Sequence, residues 1–180
     1  GAGNRRAQNL RLDAVVAIYD RNSSPACVLI LDIDHFKKIN DAYVHIVGDQ
    51  LLVELCEWIC RSTRATENLY RYGGEEFVLI AEQTSLETAV QLAQKLRAQI
   101  ARKLFASGIR LTVSIGVAEL QRGESRQDWL GRADAALYRA KGRGRNQVIV
   151  AEHAGAGTLL QMPVVERAGE VEKKWAALSR

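Results

Sequence analysis

Residues 71–80 read RYGGEEFVLI. The glycines Gly73 and Gly74 stand between an aromatic-rich run, ENLYRY at 67–72, and an apolar run, EFVLIAE at 76–82. Two such runs joined by Gly-Gly are a hairpin signal. What surrounds the hairpin decides the fold. Upstream, ACVLILDID at 26–34 is a short apolar strand whose end carries Asp32 and Asp34. HFKKINDAY then predicts a short helix and VHIVGD a loop. A stronger helix starts near Asp49, with Leu51, Leu52, Leu55, Cys56 and Ile59 on one face. Downstream, residues 85–103 form an amphipathic helix through Leu86, Ala89, Val90, Ala93, Leu96 and Ile100. GIRLTVSIGVAEL at 108–120 alternates, with Ile109, Leu111, Val113, Ile115 and Val117 on one face, which predicts a half-buried strand. Residues 126–141 are helical with Trp129, Leu130, Ala133, Leu137 and Ala140 inward, and QVIVA at 147–151 is a last short strand. A helix over 4–20 precedes all of this and ends in the turn residues DRNSSPA.

The predicted class is α+β. Its centre is a split β-α-β-β-α-β, palm or ferredoxin-like, with an antiparallel-rich sheet flanked by helices, an extra helix and a C-terminal strand. In that topology the strand leaving the hairpin inserts beside the first strand, antiparallel to it. Asp32 then comes close to Glu75 and Glu76 although they are far apart in the chain.

The totals set bounds. A chain of 180 residues, 47% apolar and 26% charged, is a soluble globular protein with a real core. No apolar run approaches the roughly 18 residues that span a membrane, and no signal region follows the N-terminus. The chain starts at Gly1 without Met, which reads as a piece of a larger protein. A net charge of +4 is too mild to argue for nucleic acid. Cys27, Cys56 and Cys60 sit in apolar settings and predict reduced, buried thiols. His35, His45 and His153 have no zinc spacing with them. The sharpest charge feature is RAKGRGRN at 139–146. It is either a solvated helix end, its cations favoured by the helix dipole, or an anion site.

Carboxylates converging on one sheet edge repel each other. A hard divalent cation removes the conflict, and Mg²⁺ takes oxygens from one or two carboxylates and from substrate phosphates. The Ile33 carbonyl, between Asp32 and Asp34, offers a further oxygen. Acidic pairs beside turns are commonly just solvated, but Glu75 and Glu76 directly follow two glycines, which let a backbone approach a ligand. With the separate basic run, the pattern favours metal–nucleotide chemistry.

The sequence resembles a GGDEF domain of the diguanylate cyclase family. The signature is the variant Gly73-Gly74-Glu75-Glu76-Phe77, supported by LDIDHFKKIND, VGDQLL, RLTVSIGVA and ADAALYRAKGRGRN in order. The resemblance implies one domain over 1–151, cut short at its N-terminal turn, and a tail over 152–180 expected to be helical. It implies an enzyme that joins two GTP into cyclic di-GMP and two pyrophosphates, with Mg²⁺ (or Mn²⁺ in its place), where two domains meet head to head as a homodimer. Asp32, the Ile33 carbonyl and Glu75 would hold the metal, Glu76 would assist, and Glu75 is often given the part of base. Asn40 and Asp49 match guanine-reading positions, and His45 matches another substrate position. Lys37, Lys141 and Arg145 match contacts to the β- and γ-phosphates, and the amides after Asp34 would help to cradle them. Gly73 and Gly74 leave room for the nucleotide, while Phe77 reads as core. The implied setting is the cytoplasm, with a sensor or membrane domain N-terminal of Gly1.

The sequence also departs from the family. The product-binding register Arg-x-x-Asp reads Arg64-Ala65-Thr66-Glu67, and Lys95 stands where a second arginine is common, which predicts weak or absent product binding. Val44 replaces the usual glycine before His45, and Ile46 a commonly polar residue. The alternative reading is therefore a regulatory module that binds GTP or cyclic di-GMP without turnover. A palm-like nucleic-acid enzyme ranks far behind, because aromatic residues are few (6%).

Overall fold

The computed structural model describes residues 5–43, 45–64, 67–105 and 108–153. The side chains of His45 and Ile46 also lie outside the described set, as do Val44, the N-terminal Gly1–Asn4 stretch and the tail beyond 153. The elements run α1 (Arg5–Asn22), β1 (Ala26–Ile33), α2 (Phe36–Ala42), α3 (His45–Ser62), β2 (Glu67–Gly73), β3 (Glu76–Glu82), α4 (Leu86–Arg102), β4 (Val113–Glu119), α5 (Arg126–Gly142) and β5 (Val148–Val150). This is the predicted order.

The sheet is ordered β2-β3-β1-β4-β5. β1 lies at its centre, antiparallel to both β3 and β4, and β5 joins β4 in parallel. Two layers of helix cover the two faces. Cys27, Leu29, Leu31 and Ile33 of β1 pack with Leu51, Leu55, Ala93 and Leu96 beneath α3 and α4. Val28 and Ile30 point the other way, to Leu12, Val15, Trp129, Ala133 and Leu137 of α1 and α5. Period-two alternation therefore fixes which face each residue of β1 serves. Asp32 has the parity of Ile30 and falls on the α5 face.

Three expectations change. The strand predicted over 108–120 is regular only over Val113–Glu119, and it is buried on both faces rather than half-buried. Its second face is closed by α5, which lies so near that a Cβ on Gly116 would meet the Ala133 carbonyl oxygen at 2.1 Å and the Leu137 nitrogen at 2.5 Å. The loop predicted at 44–49 is, from His45 on, the first turn of α3. The thiols are not all buried: Cys27 is, Cys56 is intermediate and Cys60 is exposed, because Cys60 sits one step past the inward stripe that ends at Ile59. Burial pushes the Cys27 thiol up to about 12, with Glu119 adding to the shift, so it stays protonated.

Helix ends follow local chemistry. Ser85 and Ser125 cap α4 and α5, accepting from the amides of Thr88 and Asp128. Arg11 of α1 grips Glu82 at the end of β3 with two bonds, 2.5 and 2.7 Å. Gln8 of α1 breaks the pattern. It is fully buried, and among the described residues neither its amide oxygen nor its amide nitrogen has a hydrogen-bond partner.

Candidate active site at the end of the central strand

The site forms where β1 ends. Register pairs Asp32 with Glu76 across the β1–β3 ladder, and with Ser114 across the β1–β4 ladder. Glu75 lies in the turn next to it, and its carbonyl accepts the Ile33 amide at 3.4 Å. The expected approach of Asp32 to the glutamates thus follows from strand pairing alone. Phe77, the neighbour of Glu76, is 1% exposed and belongs to the core, as expected.

Asp32 is 4% exposed. Burial pushes its carboxyl up to about 6, and the negative charges of Glu76 and Glu75 add to the rise, while Lys141 pulls it down. Lys141 reaches over from the last turn of α5 and sets its Nζ 2.6 Å from Asp32 Oδ2. Two features bring it there. The bare Gly116 lets α5 lie on β4, and Ala133, Ala136 and Ala140 make a small-residue face on the helix. Lys141 of the basic run and the acidic strand end, separate in sequence, meet in space.

Asp34 behaves differently from Asp32. It is 5% exposed, and its oxygens are taken up within the protein. Oδ2 accepts from the Thr112 hydroxyl (2.6 Å) and the Asn146 amide (3.0 Å), and Oδ1 from the Ser114 hydroxyl (2.7 Å). It is a structural anchor, so the carboxylates that fit a ligand-binding role at this strand end are Asp32, Glu75 and Glu76. Among the described residues no group of three or more His, Cys, Asp or Glu side chains is placed to hold a metal ion. Mg²⁺ needs no such cage, since it keeps waters and substrate phosphates as ligands. A buried carboxylate with two like charges beside it and one ammonium on it fits a cation-binding role.

The hairpin turn is tighter than the two-glycine reading. Gly73 belongs to β2 and pairs with Glu76, with an irregularity between Arg71 and Gly73. Arg71 braces the turn from Nε and Nη2 to the Gly74 carbonyl, at 3.2 and 2.9 Å. A Cβ on Gly74 would meet nothing within 4 Å, and one on Gly73 only Glu76 Oε2 at 3.3 Å. Packing within the chain does not require glycine at 74.

Asn40 and Asp49 sit on α2 and α3. The two helices meet at Gly48, which sequence reasoning passed over. A Cβ there would lie 1.9 Å from Asn40 Oδ1 and 3.3 Å from the Phe36 ring. Gly48 thus seats the Asn40 amide beside the turn that carries Asp49. Lys37 is exposed on α2, next to the left-handed His35 (φ 59), whose side chain makes no cap. Arg145 is exposed and also left-handed, at φ 64. Of the second predicted cluster, the Glu67 amide donates to the Arg64 carbonyl at 3.0 Å. The Glu67 carboxylate accepts the Arg64 amide at 2.6 Å. Lys95 is exposed on α4, and among the described residues no contact joins it to Arg64 or Glu67.

Residues 1–147 match the family described as diguanylate cyclase, GGDEF domain. The chain is 44% identical over 124 residues to the diguanylate cyclase DgcM of Escherichia coli, covering 69% of this chain and 30% of that protein. Among solved structures, it is similar to the active GGEEF domain of a diguanylate cyclase from Vibrio cholerae, with a TM-score of 0.81, 33% identity, and 86% and 100% of the two chains covered. It is similar also to the GGDEF domain of DgcB from Caulobacter crescentus in complex with c-di-GMP, with a TM-score of 0.80, 34% identity, and 84% and 90% covered. The chain spans about a third or less of the length of the curated relatives it matches first.

Proposed function

The chain belongs to the diguanylate cyclase GGDEF-domain family, and on that premise we propose that it condenses two GTP into cyclic di-GMP and two pyrophosphates. The observation that carries the reading is the Asp32–Glu76 cross-strand pair lying beneath Lys141. It joins a buried acid, a glutamate turn and a lysine ammonium at one strand end.

Each domain binds one GTP, and two domains meet as a homodimer with the nucleotides face to face. The 3′-hydroxyl of each GTP attacks the α-phosphate of the other. Its proton passes to a base, the part given to Glu75, and the bond from the α-phosphate to pyrophosphate breaks. Two such steps close the ring, which suits a two-fold arrangement. Asp32, the Ile33 carbonyl and Glu75 would hold Mg²⁺, with Glu76 assisting. When bound, the metal polarises phosphate oxygens and offsets their developing charge. Asp49 accepts from guanine N1–H and N2–H₂, which adenine lacks, and Asn40 offers both a donor and an acceptor. His45 matches a further substrate position. Lys37, Lys141 and Arg145 bind the β- and γ-phosphates. Lys141 neutralises Asp32 until substrate arrives. The bare surface at Gly74 leaves the nucleotide room, and Gly73 widens it.

The bond between Arg64 and Glu67 supports weak product binding, because Glu67 already spends an oxygen on the Arg64 amide. Nanomolar affinity of the domain for cyclic di-GMP would contradict this. No described helix is long and apolar enough to cross a membrane. The expected setting is the cytoplasm, with a sensor or anchor in the rest of the protein.

The test is incubation of concentrated protein with GTP and Mg²⁺, with cyclic di-GMP read by chromatography. Product that disappears in Glu75→Gln and Asp32→Asn supports the cyclase. GTP binding without product, in protein confirmed as dimeric, would overturn it in favour of a binding module.

A further inference from the structure

The loop after α5 carries three successive residues at positive φ: Gly144 at 107°, Arg145 at 64° and Asn146 at 44°. Glycine adopts this freely, but Arg and Asn pay for it, so such a run persists only where its surroundings over-determine it. The surroundings here are specific. The Asn146 amide donates to Asp34 Oδ2 at 3.0 Å. From the other side, Arg97 Nη1 of α4 donates to the Asn146 carbonyl at 3.3 Å and to its side-chain Oδ1 at 3.1 Å. Around this grip, the Arg145 amide and the Gln147 side chain both return to the Ala140 carbonyl, at 3.1 and 3.0 Å.

Asp34 is a rigid post for the purpose. Its own amide donates to the Thr112 carbonyl at 2.9 Å, and both of its oxygens are held by the Thr112 and Ser114 hydroxyls. Asn146 directly follows Arg145, and Lys141 lies at the loop's other end. Whatever fixes Asn146 fixes where Arg145 leaves the backbone.

We propose that Asp34 and Arg97 are positioning residues that clamp Asn146 and so hold Arg145 ready for the terminal phosphates of the nucleotide. The proposal rests on the reading of Lys141 and Arg145 as phosphate contacts. The clamp accounts for an acid two residues after Asp32 whose oxygens are taken up within the protein. It also gives α4, which carries no residue of the nucleotide pocket, a part in phosphate binding.

The test compares wild type with Asp34→Asn and Arg97→Ala, the second being a surface change that leaves the core intact. Calorimetry measures GTP and GMP, which share the guanine and α-phosphate but differ in the β- and γ-phosphates. Hydrogen exchange follows the peptide covering 143–147. Both variants should weaken GTP about tenfold, the scale of leaving a few side chains to be ordered at binding, and GMP by less than about twofold. Exchange in 143–147 should rise while β1 and β3 stay protected. Equal losses for GTP and GMP, no loss for either, or unchanged loop exchange would each overturn the clamp. If wild type binds neither nucleotide, the cyclase reading fails on its own. Inorganic triphosphate is then the probe: weaker binding with faster loop exchange in the variants supports the clamp, and no binding to wild type overturns it.

Discussion

Replacing Lys141 by Met keeps the apolar stem and removes the charge that sits 2.6 Å from Asp32 Oδ2. The Asp32 side chain is 6% exposed and that of Lys141 31%, so the pair is only partly screened. Stripping the partner from a buried ion pair commonly costs about 3–5 kcal/mol, because a bare charge remains. Here protonation offers a cheaper route. The Asp32 carboxyl stands at about 6 in the folded protein, raised by burial and by Glu76 and Glu75, with Lys141 still pulling it down. An unfolded aspartate titrates near ~3.9. The folded value is the higher one, so the folded state holds the proton more tightly. The stability from Asp32 is therefore fully present below about pH 4 and is lost as pH rises through about 6. Without Lys141 the folded value rises further and the loss continues to higher pH. Taking up a proton caps the extra cost at about 1.4 kcal/mol per pH unit above 6, or about 2 kcal/mol near pH 7.5. For a domain of this size that is a fall in Tm of about 4–8 °C. Melting Lys141→Met beside wild type, without metal, should show this gap near pH 7.5 and almost none near pH 4.5. An equal gap at both pH values would mean that the lysine stem, not its charge, matters. No gap near pH 7.5 would mean that the pair does not form in solution.

Three further substitutions probe the packing that builds the site. Gln8→Leu removes a fully buried amide with no partner at either atom among the described residues; urea melts should show a gain of about 1–3 kcal/mol, and an unchanged or lower stability would mean that the amide is hydrogen-bonded in solution. Gly116→Ala drives a Cβ to 2.1 and 2.5 Å from backbone atoms of α5 that cannot swing aside; it should cost about 3 kcal/mol or more by the same assay, and a change below about 1 kcal/mol would show that α5 shifts freely on the sheet. Gly48→Ala meets instead the free end of a side chain, Asn40 Oδ1 at 1.9 Å, backed by the Phe36 ring at 3.3 Å. Its Tm should stay within a few degrees while GTP affinity falls about tenfold, and unchanged affinity would remove Asn40 from the guanine pocket.

These substitutions also mark where sequence stops being legible. The hairpin, the alternation of β1 and the helical stripes are periodic, and with the split topology they bring Asp32 close to Glu75 and Glu76, while the register that pairs it with Glu76 comes from the structure. Gly116 went unread, although a glycine inside a strand pattern signals a close backbone approach, and the pattern does not say which helix approaches. Asp34 gave no signal of its role. Its donors Thr112, Ser114 and Asn146 lie 78, 80 and 112 residues away. By residue type it is the equal of Asp32. The first turn of α3 was missed because HIVGD holds a glycine and follows no capping residue, and local propensity there argues for a loop. Phe36 and Asn40 of α2, set against Gly48, supply the packing that propensity lacks. Much of the site's chemistry sits at positions that the repeat of helix or strand does not reach: a strand's last residue, a helix's last turn, the loop beyond it. Such positions take their meaning from what the fold brings opposite them. Lys141 on Asp32 makes the point, because each charge was conspicuous in the sequence and their meeting required that α5 be laid down over Gly116.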